Sequence, residues 1–272
     1  MLSRGTISEV TFIPGEPGIA TSVNGDPGYN ARTTRRALEL FAASRQVKGK
    51  LLVEQEVETP IGSGFGASGA SATSAVYAAS AALGVDSPKY QLALYAHRAE
   101  IIEQTGLGTV SVVYNGAGAG AIFTPGVPGV ARFRTVRVPD DLRIVTAYLA
   151  PYDKKDAISS TSISERIDRL GRRALSSFLR DPSLETLASE GERFSEELGL
   201  ESPEVKKLIS AAKASGAMYA SQNMIGYAIH AITDQDRSGR LQASLKRTAP
   251  LARTDVFSVG KVRAGIQNSI RR

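Results

Sequence analysis

Four glycines within eight positions, Gly62, Gly64, Gly66 and Gly69, alternate with Ser63, Phe65, Ala67 and Ser68 and run straight into a stretch of Ala, Ser and Val. Backbone with so little Cβ bulk can curl tightly and direct several N–H groups at one point. A helix that begins where the curl ends adds its unpaired first-turn N–H groups and the positive end of its dipole. The chemistry this favours is capture of an anion, most often a phosphate. The same residues also fit a plainer role, a small-residue helix packed closely on a sheet, with the glycines serving only the turn.

Three kinds of phosphate loop can be compared with this stretch. A Walker loop ends in Gly-Lys-Ser/Thr so that a lysine reaches the terminal phosphates, and no lysine lies between Lys50 and Lys89. The dinucleotide pattern G-x-G-x-x-G is present as Gly64, Gly66 and Gly69, but a first Rossmann strand is buried on both faces and reads as an unbroken apolar run. Here residues 50–58 alternate, with Leu51, Val53 and Val57 on one face and Glu54, Glu56 and Glu58 on the other, which describes an antiparallel strand with one wet face. Residues 88–104 then read as a further helix where a second strand is required. The third kind has the form P-x-x-x-G-(L/F)-G-S-S-A-A, and Pro60-Ile61-Gly62-Ser63-Gly64-Phe65-Gly66-Ala67-Ser68-Gly69-Ala70 is similar to it. That is the loop of the GHMP kinases.

Three further segments carry the same resemblance and narrow it to the archaeal pantoate kinase family. Ala99-Glu100, followed by Thr105-Gly106-Leu107-Gly108-Thr109-Val110, resembles that family's Ala-Glu and Thr-Gly-Leu-Gly-Asp-Val run. Pro125-Gly126-Val127-Pro128-Gly129 resembles its Pro-Gly-x-Pro-Gly turn, and Val23-Asn24-Gly25 with Thr34-Arg35-Arg36-Ala37 is a weaker match. The likeness covers residues 3–130 well and the rest thinly. It implies an ATP- and Mg²⁺-dependent transfer of a phosphoryl group to pantoate on the archaeal route to coenzyme A. Acceptors such as homoserine, mevalonate or a sugar, or a catalytically silent nucleotide-binding protein, are the alternatives.

Phosphoryl transfer needs a phosphate cradle, metal ligands and something to orient the attacking hydroxyl. By resemblance, residues 62–69 (Gly62, Ser63, Gly64, Phe65, Gly66, Ala67, Ser68 and Gly69) hold the triphosphate. Ser68 and Glu100 hold Mg²⁺, a cation that takes few protein oxygens beside phosphate and water. Ser68 equally suits a helix N-cap, and Glu100 an exposed carboxylate paired with Arg98 or Lys89. Asn24, Thr105 and Gly106 are expected beside the acceptor. Thr109 stands where many of these enzymes carry an Asp near the reacting hydroxyl, and threonine is no general base near neutral pH. Either the proton leaves through water or phosphate, or the correspondence fails here, or turnover has been lost. For the carboxylate of a small hydroxy acid, Arg4, Arg32 and Arg35 are candidates, each also an ordinary surface charge. His97 reads as a packed histidine.

Two other departures accompany Thr109. Ser3-Arg4-Gly5 resembles a segment that follows a first strand and a Pro-Gly-His turn in the family, so the chain is expected to begin some 20–30 residues late. The third glycine-rich motif of GHMP kinases is faint, its place taken by Ser221-Gln222-Asn223-Met224-Ile225-Gly226.

The elements that must position these residues alternate between strand and helix. Strands are expected at 7–13 and 19–24, around Pro14-Gly15-Glu16-Pro17-Gly18, and at 50–58, 110–114, 119–123, 130–137 and 143–150. Helices are expected at 30–46, 68–83 and 88–104, then at 162–180, 183–198 and 203–215, two of these with Pro182 or Pro203 near the first turn. Strands at 217–221 and 225–232, a helix near 238–247 and a strand at 254–259 complete the chain. Antiparallel alternation mixed with helices is an α+β pattern in two layers. This agrees with the implied two-lobed GHMP kinase fold, a ribosomal-protein-S5-like N-terminal lobe over residues 1–140 and a ferredoxin-like C-terminal lobe over 141–272.

The bulk properties set bounds. The 272 residues are 42% hydrophobic and 22% charged, ordinary for a globular protein with ample core. No apolar run approaches the roughly 18 residues that span a bilayer, and residues 1–6 lack a signal-peptide core, so no membrane partner and a cytoplasmic location are expected. The chain has no Cys and two His, which excludes disulfides, thiolate metal sites and His-rich ones. The net charge of +6 is scattered apart from short pairs such as Arg172-Arg173 and Arg271-Arg272, with no basic run interleaved with aromatics, so a solvated surface and no nucleic-acid partner are expected. The expected partner is a small hydroxy acid, and a homodimer is compatible with the sequence.

Overall fold

The computed structural model describes residues 1–106, 108–116, 118–151, 161–224 and 226–266. Leu107 of the glycine turn, Ile225 of the faint third motif and the Arg271-Arg272 pair lie outside the described residues. In the first half, β1 (Thr6–Pro14) and β2 (Gly18–Val23) flank β3 (Gly49–Val57) in a three-stranded sheet ordered β1-β3-β2. The sheet is mixed: β3 runs antiparallel to β1 and parallel to β2, so the wholly antiparallel surroundings expected of residues 50–58 hold on one edge only. The inward and outward alternation of β3 is as its sequence reads, with Leu51, Val53, Gln55 and Val57 buried and Lys50, Glu54 and Glu56 exposed.

Of the three helices here, α1 (Arg32–Arg45) and α2 (Ala67–Ala82) lie against the sheet, and α3 (Lys89–Glu103) packs on α1 and α2. The middle one, α2, is buried on nearly every side, which its small residues make possible; Ala72, Ala75, Val76, Tyr77 and Ala79 join Leu38, Phe41, Leu51 and Leu92 in one core. Its serines serve a buried polar seam. Gln55 Nε2 donates to Ser8 Oγ (2.8 Å) and to the Ser71 carbonyl (3.0 Å), and Thr34 Oγ1 donates to Gln55 Oε1 (3.2 Å). Burying an amide is tolerable because each of these bonds replaces one to water.

Residues 110–114, expected as a strand, form a short helix, α4 (Thr109–Asn115), which packs on α2 and α3. The β-branched run Val110, Val112 and Val113 favours a strand in isolation. Here the segment is fixed by burial of Val110 and Ser111 and closed by Gly116 in the left-handed region at φ 64°. The hairpin β4 (Ala119–Thr124) and β5 (Arg132–Val136) follows as a separate two-stranded sheet.

The second half is a four-stranded antiparallel sheet ordered β7-β8-β6-β9, from β6 (Leu142–Ala150), β7 (Tyr219–Gln222), β8 (Tyr227–Asp234) and β9 (Arg253–Phe257). Four helices belong to it: α5 (Thr161–Arg180), α6 (Leu184–Leu198), α7 (Pro203–Ala214) and α8 (Gln235–Thr248). Val145, Ala147, Ile229 and Ala231 of the sheet pack on Leu208 of α7 and on Leu241 and Leu245 of α8. Side-chain caps set three helix starts: Ser183 for α6, Ser202 for α7 and Asp234 for α8.

Candidate active site

The glycine loop leaves the end of β3, where Asn24 secures it. Asn24 Oδ1 accepts the Val57 N–H (2.7 Å) and its Nδ2 donates to the Val57 carbonyl (3.2 Å), prolonging the ladder beyond β2. The loop then turns through Gly62, Gly64 and Gly66 at φ 77°, 80° and 75°. These left-handed values are open to glycine and strained for other residues, which is why alternate positions are glycine. Ser63 is buried and its hydroxyl donates to the Pro60 carbonyl (2.6 Å), so the side chain shapes the turn. Phe65 is half-buried.

Gly66 is the N-cap of α2 and no side chain caps that end. The first-turn N–H groups of α2 therefore remain for a ligand or water. Ser68 is not the N-cap that its type suggested: it is the second residue of the helix, and its hydroxyl makes no hydrogen bond among the described residues.

Beneath the loop lies a tight junction of α2, α3 and α4. Glu100 is fully buried rather than an exposed carboxylate beside Arg98 or Lys89, and its Oε2 accepts the Val110 N–H (3.4 Å) in the first turn of α4. A Cβ placed on Gly69 would stand 2.6 Å from Glu100 Oε1 and 2.9 Å from Thr109 Cβ, and one on Gly66 would stand 2.6 Å from Thr109 Cγ2. One on Gly106 would stand 3.0 Å from Glu100 Oε1. The structure thus gathers Gly66, Gly69, Glu100, Gly106 and Thr109 in one place. A buried carboxylate beneath an uncapped helix N-terminus is hard-oxygen chemistry that fits a Mg²⁺ ion shared with phosphate. Among the described residues no group of three or more His, Cys, Asp or Glu could hold a metal by itself.

Other expected residues are placed differently. Thr105 Oγ1 is 3.0 Å from Thr33 Oγ1, tying the turn to the start of α1. Asn24 lines a separate hollow of about 400 Å³ with Tyr29, Ile61, Gly62, Tyr148 and Arg253, on the Gly62 side of the loop, and neither Thr105 nor Gly106 lines it. Burial, with Tyr29 nearby, raises the Tyr148 phenol, and Arg253 opposes the rise. A larger hollow of about 900 Å³ lies along β5 and residues 259–263, and no residue of the glycine loop lines it.

Arg4 stacks over Phe257 (4.4 Å) and donates to the Val256 carbonyl, and Arg35 reaches Thr21 Oγ1 (3.4 Å). Arg32, exposed at the start of α1, makes no hydrogen bond or ion pair among the described residues. His97 is packed in α3, and burial lowers its imidazole pKa.

The second half supplies contacts that sequence reasoning missed. Asn223 Nδ2 donates to the Ser63 carbonyl (2.6 Å), Arg253 Nη2 donates to the Glu58 carbonyl (2.6 Å), and Pro151 packs on Gly62. The faint motif at 221–226 was the one signal for Asn223. Arg253, Tyr29 and Tyr148 had none.

A mixed α+β fold with a glycine loop on the uncapped N-terminus of a buried helix has the form of an anion site. Residues 32–116 match the family model described as the GHMP kinases N terminal domain, and the fold is the two-lobed α+β fold of GHMP kinases. The chain is 29% identical over 181 residues to a pantoate kinase of Methanospirillum hungatei JF-1, covering 66% of this chain and 58% of that one. It is 27% identical over 177 residues to a pantoate kinase of Methanocaldococcus jannaschii, covering 65% and 63%. The chain thus spans about three fifths of the length of these relatives. A solved phosphotransferase related to the CoA biosynthesis pathway superposes with a TM-score of 0.83 at 24% identity, over 96% of this chain and 86% of that one.

Proposed function

We propose that this chain is an ATP-dependent kinase that phosphorylates the primary hydroxyl of pantoate to give 4-phosphopantoate. The observation that carries the reading is the junction of the uncapped α2 N-terminus with the buried Glu100, pressed together through Gly69. Residues 62–69 hold the triphosphate through backbone N–H groups and the α2 dipole, where anionic charge is stabilised. The hollow lined by Tyr29, Tyr148 and Ile61 beside Gly62 receives the nucleoside, its rings offering stacking surface.

Ser68 and Glu100 hold Mg²⁺, which when bound neutralises charge on the phosphates. Thr109 contributes no base: it packs on Gly66 and Gly69 and keeps the α4 N-terminus against Glu100. The acceptor lies by the Thr105–Gly106 turn, with Arg32 available to its carboxylate. The lobes are assigned to residues 1–140 and 141–272.

Thr109 in place of Asp also supports a second reading, a protein that binds nucleotide without turnover. ADP release from Mg-ATP, measured with pantoate, homoserine, mevalonate or no acceptor, separates the readings. Pantoate-dependent release is the expected result. Release with another acceptor moves the substrate, and nucleotide binding without release from any acceptor favours the silent protein.

A further inference from the structure

We infer that Asn223 is a positioning residue that latches the phosphate loop to the second half of the chain and orients its central peptide. The inference rests on the reading of residues 62–69 as the triphosphate cradle. Asn223 lies in the turn between β7 and β8, 160 residues along the chain from Ser63, and its Nδ2 donates to the Ser63 carbonyl at 2.6 Å. The turn that presents it is itself held: the Asn223 N–H donates to the Ala228 carbonyl (2.7 Å), the Gly226 N–H to the Asn223 carbonyl (3.3 Å), and Gln222 Nε2 to the Gly226 carbonyl (2.9 Å).

The contact leaves little slack. A Cβ on Gly64 would stand 2.9 Å from Met224 Cγ and 3.1 Å from Asn223 Nδ2. Met224 itself takes a left-handed φ of 60°, uncommon outside glycine.

The consequence follows from the planarity of the peptide. In a trans peptide the C=O and the next N–H point in opposite directions. With the Ser63 carbonyl drawn onto Asn223, the Gly64 N–H is turned away from the second half of the chain. Glycine backbone has the most freedom to lose on ordering, and a bond at the middle of the loop restricts that freedom before a ligand arrives, which favours binding. The Ser63 side chain is fixed separately, its hydroxyl donating to the Pro60 carbonyl, so residue 63 is held by one contact at its carbonyl and another at its hydroxyl. Asn223 touches no reacting atom in this arrangement; it acts through the loop.

The test uses Asn223→Ala and Asn223→Asp, the second keeping the size of the side chain while removing its donor. Amide hydrogen exchange over residues 61–66 in nucleotide-free protein reads the latch directly. Exchange at Gly64, Phe65 and Gly66 is expected to accelerate in both variants while the β3 amides stay protected. Calorimetry with Mg-ATP is expected to show affinity weaker by about tenfold, the scale of one hydrogen bond. The KM for ATP should rise, with the acceptor KM and the thermal midpoint nearly unchanged. Unaltered loop exchange in both variants overturns the latch, and so does a loss of affinity that only tracks a fallen midpoint. If the unsubstituted protein binds no Mg-ATP while its loop exchange responds to Asn223, the kinase reading fails and the latch stands.

Discussion

At Gly69 a single methyl group would meet Glu100 Oε1 at 2.6 Å and Thr109 Cβ at 2.9 Å, so the loop and the helix beneath it cannot be separated by even that much. Gly69→Ala is expected to cost about 1–3 kcal/mol of stability, as overpacked sites do, and to weaken Mg-ATP binding; chemical denaturation and calorimetry check the two effects. Glu100→Gln preserves the shape and the bond from Val110 while removing the charge. It is expected to lower turnover by about a hundredfold or more, in the range seen when one charge-stabilising group is lost, with a thermal midpoint within a few degrees of the unsubstituted protein. Turnover of Glu100→Gln close to that of the unsubstituted protein would remove Glu100 from the site. Thr109→Val tests the absence of a side-chain base: activity within about threefold is expected, because what matters at 109 is the packing of its branched side chain on Gly66 and Gly69.

Among the elements, α2 was the most legible, since glycines followed by small residues mark both a tight turn and a helix that can be buried all round. The helix at 109–115 was not legible. Its valines fit a strand by local preference, and only contact with α2 and α3, with Glu100 at its first turn, decides otherwise. Caps illustrate the opposite case, in which local sequence suffices. Ser183 Oγ accepts the Thr186 N–H at 3.1 Å at the start of α6, and Ser183→Ala is expected to cost about 1 kcal/mol, measurable as a shift in denaturation midpoint with kinetics untouched. That separation is expected because α6 supplies no residue of the loop or of the hollow beside it.

Over the whole molecule, the four-stranded sheet holds one group that is expected to make stability fall with acid. His230 on β8 is held with its Nε2 3.3 Å from Ser221 Oγ, and burial pushes its imidazole from an ordinary 6.5 down to about 4. The fold therefore binds the neutral ring. Above pH 6.5 both folded and unfolded chains are neutral there and the full stability is present. As pH falls from 6.5 towards 4 the unfolded chain takes up the proton and the folded one does not, so stability is lost at up to about 1.4 kcal/mol per pH unit. Denaturation midpoints measured between pH 7 and pH 4 should fall along this course, and His230→Asn should flatten that part of the profile. A slope unchanged by the substitution would place the acid sensitivity in other groups.

By itself the sequence determined the glycine loop ahead of α2, the alternation of β3 with Leu51, Val53 and Val57 inward, and the α+β class. These follow from local rules: backbone freedom at glycine, a period of two in strands, and ordered short motifs. Tertiary structure decided the rest. It buried Glu100, which the spacing of α3 alone left open to solvent, and it took Ser68 out of the N-cap position by ending the loop at Gly66. It placed Asn24 in a hollow that Thr105 does not line, and it brought Asn223 and Arg253 onto the Glu58–Ser63 segment from more than 150 residues away. Contacts between distant segments depend on how two sheets and their helices pack, and no local pattern in the chain encodes that distance.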